Sequence, residues 1–204
     1  MNAIRLEVDG HGAAQQVREG VLPLVRPFPL HLGGELDEPR LAWRMVGSPA
    51  HPVVIALGGI SAHRRVFDTD EPRTAWWNEV AGPGRALDSR RLCILGIDYL
   101  GGHGSSPPPA EGRAHGISSH DQARALVALL DHLGLGRVRA IVGASYGGMV
   151  ALAFGTLYPQ RCSRLVVISA AERPHPMATA WRSVQRRMVR MALREGCAAE
   201  GLEL

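Results

Sequence analysis

The chain has no lysine. All 23 of its basic residues are arginine, set against 19 acidic ones, for a formal charge of +4. A Walker A loop, which needs Gly-Lys-Ser/Thr to hold phosphates, is therefore excluded. Cysteine is almost as scarce: Cys93, Cys162 and Cys197 are odd in number, far apart and without a C-x-x-C pair. That pattern argues against a disulfide scaffold or a zinc site and for a reducing compartment, with the cytoplasm as the expected location. Aromatics make up 5% of the chain. No arginine block alternates with them as a base-stacking platform would, so no nucleic-acid partner is expected. No apolar run reaches membrane-spanning length, and no membrane partner is expected. The stretch from Met1 to Asp9 lacks the apolar centre of a signal peptide.

What remains is ordinary for a globular protein: 204 residues, 46% hydrophobic and 21% charged, enough for one domain with a sizeable core. Residues 1–27 show no clear period and read as an N-terminal extension or a loose first strand. Residues 28–204 read as a single core domain. Within it, short apolar runs at 53–57, 91–97, 138–142 and 164–168 alternate with helical periods at 120–133 and 147–158. That alternation predicts βαβ units, with the four runs as neighbouring parallel strands and helices on both faces of the sheet.

The chemistry concentrates at Gly143-Ala-Ser145-Tyr-Gly147, which reads as G-x-S-x-G between a β-branched strand and a helix. This is the context that the nucleophile elbow of α/β-hydrolase-type enzymes requires. A serine on a strained strand-to-helix turn exposes its hydroxyl, and flanking glycines let the backbones approach. Ser145 is thus the candidate nucleophile, and the Tyr146 amide, at the helix start, is a candidate oxyanion donor. The strand at 53–57 leaves through Gly58-Gly59-Ile60-Ser61-Ala62-His63, where such folds place a second donor, here the Ile60 amide. A plain turn is the alternative for either loop.

Other stretches read as structure. Trp76-Trp77 is expected to pack. His103, in the glycine-rich loop 98–109, reads as a turn residue. Ser119-His-Asp-Gln122 fits a capping box opening a helix that Gly134 stops. Gly134-Leu-Gly136 lies between helix and strand and so does not fit a dinucleotide fingerprint. A last helix, from about Ala178 to Arg194, sets Trp181, Val184, Met188 and Met191 on one face and Arg182, Arg186 and Arg190 on another. The arginines form either a solvated face or an anion-facing cap over an acyl donor.

Taken together, Trp76-Trp77 with Gly82-Pro83-Gly84 and Leu87-Asp88, Leu100-Gly101-Gly102…Gly104-Ser105, Gly143 to Met149, and Pro176-Met-Ala…Gln185-Arg186 resemble the homoserine O-acyltransferases of methionine biosynthesis. The likeness runs from about Leu30 to Arg194 in the family's order. It implies an α/β-hydrolase fold and a ping-pong transfer, in which an acetyl or succinyl group passes from acyl-CoA to Ser145 and then to the homoserine hydroxyl. The Ile60 and Tyr146 amides would form the oxyanion hole. Acyl-CoA would be a co-substrate, with no permanently bound cofactor and no metal, and a homodimer is compatible with the family. Tyr146 stands where many members have methionine, and Ile60-Ser61-Ala62 fills the variable loop. The acyl group stays open, with the pattern slightly nearer the succinyl type. A plain serine hydrolase and a truncated, non-catalytic fold are the competing readings.

One departure is large. The family's acid, histidine, lid and substrate-clamping arginine would lie beyond position 204, so the chain reads as the N-terminal portion, inactive alone. No aspartate follows Asp131, and His175 is the only histidine after Ser145. In this fold the order is serine, acid, histidine, which leaves Glu172, His175, Glu195, Glu200 and Glu203 as later candidates. His63 and His103 precede the serine and would need a rearranged triad.

Overall fold

The computed structural model describes residues 3–8, 14–69, 73–102, 116–194 and 196. His103, the Gly104-Ser105 pair, Cys197, Glu195, Glu200 and Glu203 lie outside the described residues. The chain divides into two compact units, Met1–Ala170 and Ala171–Leu204.

The first unit is built on a seven-stranded sheet. Strands β1 (Ala3–Val8) and β2 (Ala14–Pro23), from the stretch that showed no clear period, form an antiparallel pair on the sheet. A two-strand ribbon, β3 (Phe28–Pro29) and β4 (Glu35–Leu36), follows. Strand β5 (Arg40–Val46) pairs antiparallel with β2 on one side and with β7 (Cys93–Ile97) on the other. Strands β7, β6 (Val53–Leu57), β8 (Ala140–Ala144) and β9 (Leu165–Ile168) then run parallel, in that order. The four parallel neighbours expected from the apolar runs are present, with ends displaced by one or two residues.

Strand β6, Val-Val-Ile-Ala-Leu, is buried at every position. Its residues divide by period two: Val53, Ile55 and Leu57 face the larger core, while Ala56 faces the smaller. The larger core takes Ala123, Leu126, Leu129 and Leu130 of helix α1 (Ser119–His132), and Val150, Ala151, Ala153 and Phe154 of helix α2 (Tyr146–Leu157). The other face is covered by the long connection between β6 and β7, through Val66, Phe67 and Ala81. Trp76 and Trp77 stack with ring centroids 5.0 Å apart against this layer, as packing residues.

The cap of α1 differs from the sequence expectation by one residue. Ser118 is the N-cap, with an extended backbone, and the box closes on Asp121: the Ser118 amide donates to Asp121 Oδ2 at 2.8 Å. A buried carboxylate is the stronger acceptor for that amide, so Asp121 displaces Gln122 from the box. The consequence reaches the site. Gln122 is released to hold another segment, and α1 ends as expected, with Gly134 at φ +69.

The second unit contains helix α3 (Pro176–Arg194), none of whose residues is buried. It begins earlier than the apolar period suggested because His175 Nδ1 accepts from the Met177 amide at 3.2 Å. Arg182, Arg186 and Arg190 are exposed, as are Trp181, Val184 and Met188. Among the described residues, no helix is long and apolar enough to cross a membrane.

Strand β9 is the outer strand at its end of the sheet and pairs with β8 alone among the described residues. It nevertheless carries Leu165, Val166 and Ile168, each about two-fifths exposed. An apolar edge with open amides and carbonyls is a template for pairing with another chain. Concentration-dependent association is therefore expected, measured by light scattering after size exclusion. Val166→Lys should reduce it while moving unfolding stability by no more than ~0.5 kcal/mol, as for an ordinary surface change. A wild-type chain that stays monomeric at all concentrations would contradict this.

Candidate functional site

Ser145 lies between β8 and α2 with φ 54° and ψ −118° and is exposed. A positive φ in a non-glycine residue costs on the order of 1–3 kcal/mol and persists only where the surroundings enforce it. Here the enforcement is local. The Ser145 amide donates to the Ile168 carbonyl at 2.9 Å, and its own carbonyl takes the Gly148 and Met149 amides, which open α2. A Cβ on Gly143 would collide with the Gly147 carbonyl, and a Cβ on Gly147 with the Leu57 carbonyl. Both glycines of G-x-S-x-G are thus demanded by backbone approach.

The same approach brings the loop after β6 to the elbow. The Gly58 carbonyl accepts from the Gly147 amide at 2.8 Å and from the buried Tyr99 hydroxyl at 2.9 Å. A tight turn follows, with the Ala62 amide donating to the Gly59 carbonyl at 2.9 Å. Neither the Ile60 amide nor the Tyr146 amide has an acceptor among the described residues. Two free backbone donors and an exposed serine hydroxyl therefore belong to segments tied to each other by one carbonyl.

Past the turn, the loop is anchored by charge. The Arg64 amide and Nη1 donate to the fully buried Asp98 at 2.8 and 2.6 Å. His63 Nδ1 accepts from the Arg65 amide at 3.2 Å, and its carbonyl from Trp76 Nε1 at 2.7 Å.

The sequence reading missed three groups of this site. Tyr99 and Asp98 stood in a stretch taken for loop by its glycines, and Gln122 had been assigned to the cap. Gln122 is buried and grips Leu100 at both backbone groups, accepting from its amide at 2.9 Å and donating to its carbonyl at 3.0 Å. Asp121 in the place of the cap acceptor was the one available signal.

Between these segments lies a cavity of about 240 Å³, lined by Ile60, Tyr99, Leu100, Ile117, Gln122 and Tyr146 and floored by the Gly101–Gly102 turn. The Tyr99 and Tyr146 rings meet edge to face, 5.0 Å between centroids. Burial pushes both phenols above their ordinary range. For Tyr146 a hydrogen bond with Gln122 works the other way, and the negative charge of Asp121 adds to the rise.

Ser145 Oγ has no hydrogen-bond partner among the described residues. His31 and His120 stack on each other at 4.3 Å. In the second unit Glu172 pairs with Arg173 at 3.5 Å rather than with His175, which caps α3. Among the described residues, no cluster of three or more histidine, cysteine or acidic side chains is placed to hold a metal.

Two measurements follow from this geometry. Ser145→Gly should raise unfolding stability by about 1 kcal/mol through relief of the positive φ, and Ser145→Ala should not; an unchanged urea midpoint for the glycine variant would mean the turn is unstrained. A folded-state phenol pKa above the unfolded value of about 10 gives a contribution fully present below that pH and lost as pH rises towards the folded value. Stability should thus fall above about pH 10, and Tyr99→Phe should flatten that fall in pH-dependent urea titrations.

Comparison with known proteins gives concordant findings. A family model described as alpha/beta hydrolase fold matches residues 52–194. The chain is 40% identical over 182 residues to a homoserine O-succinyltransferase of Xanthomonas campestris, covering 89% of this chain and 47% of that protein. It is 36% identical over 179 residues to a homoserine O-acetyltransferase of Symbiobacterium thermophilum, covering 80% and 47%. The chain thus spans about half the length of these curated relatives. Among solved structures, a homoserine O-acetyltransferase from Staphylococcus aureus superposes with a TM-score of 0.77 at 21% identity, over 88% of this chain and 55% of the other.

Proposed function

This chain belongs to the alpha/beta hydrolase fold family, and we propose that it supplies the nucleophile and oxyanion donors of an acyltransferase acting on homoserine. Ser145 Oγ attacks the thioester carbonyl of acetyl-CoA or succinyl-CoA, the C–S bond breaks, and CoA leaves as the thiol. The homoserine hydroxyl then attacks the seryl ester, which releases O-acylhomoserine and regenerates Ser145. In each step the negative charge on the carbonyl oxygen is taken by the Ile60 and Tyr146 amides. The reading is supported by the exposed Ser145 at positive φ, followed in the chain by the Tyr146 amide, which like the Ile60 amide has no acceptor among the described residues. The relatives named as homoserine acyltransferases supply the substrates. Both free cysteines of the described residues are buried, which suits a cytoplasmic enzyme, and a homodimer is its proposed assembly.

Among the described residues, none is hydrogen-bonded to Ser145 Oγ to take its proton. A triad serine needs a base within about 3 Å and an acid to orient it, and Ser145 has neither among the described residues. Residues 1–204 alone should therefore show no Ser145-dependent turnover of homoserine and acyl-CoA. Imidazole added as an external base should restore slow acylation, read by intact mass as an adduct that is absent in Ser145→Ala. Ile60→Pro removes one amide donor and should slow that acylation by about a hundredfold. Discharge of the adduct by homoserine faster than by water distinguishes a transferase from a hydrolase. Turnover without added base, or adducts that survive Ser145→Ala, would contradict the assignment.

A further inference from the structure

We propose that Asp98 is a positioning residue for the loop after β6: by holding Arg64 it sets where the Ile60 amide points, without itself meeting a reacting atom. The inference rests on Ile60 as an oxyanion donor and adds the residue that governs its geometry.

The Ile60 peptide is not oriented by packing of its own side chain, which is 74% exposed. The turn around it is closed by the bond from the Ala62 amide to the Gly59 carbonyl at 2.9 Å. Such a turn keeps its shape but pivots as a body on its two ends, so the ends decide the direction of its amides. At the leading end the Gly58 carbonyl takes the Gly147 amide and the Tyr99 hydroxyl. At the trailing end the His63 carbonyl takes Trp76 Nε1 at 2.7 Å, and Arg64 is bound to Asp98.

The Asp98 contact is the directional one. The carboxylate is fully buried, and both of its oxygens go to one residue. Oδ1 accepts from the Arg64 amide at 2.8 Å and Oδ2 from Arg64 Nη1 at 2.6 Å. Main chain and side chain of Arg64 are thus fixed together. The carboxylate is itself seated on the sheet, since the Asp98 amide donates to the Ala42 carbonyl of β5 at 2.9 Å. Gly96 of β7 completes the seat: a Cβ there would strike the Arg64 carbonyl. Stability alone does not call for this arrangement, because apolar residues of similar volume often match or exceed a buried ion pair. What a charge-assisted contact with two fixed oxygens supplies is geometry. Asp98 and Tyr99 are also adjacent in the chain. One step after β7 therefore grips the loop at both ends, and the Ile60 amide moves only if that step moves.

The test compares Asp98→Asn and Arg64→Lys with a surface control, Glu38→Gln, in the 204-residue chain. Asparagine keeps the shape and an acceptor for the Arg64 amide but sets an amino group against the guanidinium. Lysine keeps a cation on the carboxylate. Amide hydrogen exchange needs no chemistry at Ser145. Asp98→Asn should speed exchange at Ala62 by about fivefold relative to the core amides of β6 and β7. A merely structural role would move the core amides and leave Ala62 behind. Acylation of Ser145 by acetyl-CoA with imidazole is then followed by intact mass in single turnover. Asp98→Asn should lower the limiting rate about tenfold and leave the half-saturating acetyl-CoA concentration unchanged, because a misplaced oxyanion donor fails in the transition state. Arg64→Lys should retain most of the rate, and Glu38→Gln all of it. If Asp98→Asn does not fold, Arg64→Met removes the same contact from its partly exposed side and is judged by the same two readouts. An unchanged exchange ratio at Ala62, or a loss confined to acetyl-CoA affinity, overturns the proposal. Wild-type acylation that Asp98→Asn leaves intact overturns it too, while the acyl-transfer reading stands. Absence of acylation in every variant, wild type included, removes that reading, and the exchange ratio alone then decides whether Asp98 positions the loop.

Discussion

The site depends on one carbonyl. Gly58 O receives the Gly147 amide from the elbow and the Tyr99 hydroxyl from the end of β7, so three segments far apart in sequence meet at a single acceptor. A carbonyl with two lone pairs is fully satisfied by two donors, and in a buried setting neither bond is readily exchanged for water. The glycines make the meeting sterically feasible. A side chain at Gly58 would lie 2.7 Å from the Trp76 ring, and one at Gly147 would strike the Leu57 carbonyl.

Around this point the chain divides its polar groups between support and chemistry. Asp98, Asp121 and Gln122 are buried and bound to backbone amides or to arginine, which is the work of holding loops in place. Ser145 Oγ and the amides of Ile60 and Tyr146 have no partners among the described residues. Groups kept unsatisfied at one place, within surroundings that satisfy their neighbours, are what a reaction needs from its scaffold. Among the described residues no side chain is hydrogen-bonded to Ser145 Oγ as a proton acceptor.

Much of this was legible beforehand, for physical reasons. Strands β6 and β7 are buried at every position, so they read as continuous apolar runs such as Val53–Leu57. The elbow announced itself because its glycines are dictated by backbone contact rather than by solvent. The N-terminal strands were not legible: β1 and β2 carry Arg5, Glu7, Arg18 and Glu19 among their apolar residues, and antiparallel outer strands need bury only one side. Tyr99 and Gln122 were missed because their roles are set by partners 41 and 22 residues away, which no local pattern encodes. The cap of α1 was placed one residue late because Ser118 and Ser119 are both competent caps, and only the reach of Asp121 decides between them.

The position of β6 carries a consequence for biosynthesis. This strand sits between β7 and β8, yet it precedes both in the chain. On the ribosome, Val53–Leu57 is complete some forty residues before Cys93 and more than eighty before Ala140, the first residues of its two partners. At about 5–20 residues per second, that is a wait of seconds. Throughout it, five consecutive apolar residues of strong β character stand with both edges open, a composition prone to pair with other nascent chains. The antiparallel strands β2 and β5 are already synthesised by then and can pair early, but β6 does not border them. Yield in a cell would accordingly be governed by how this segment is shielded during elongation, by a holdase chaperone or by slow expression at low temperature, more than by the stability of the finished fold.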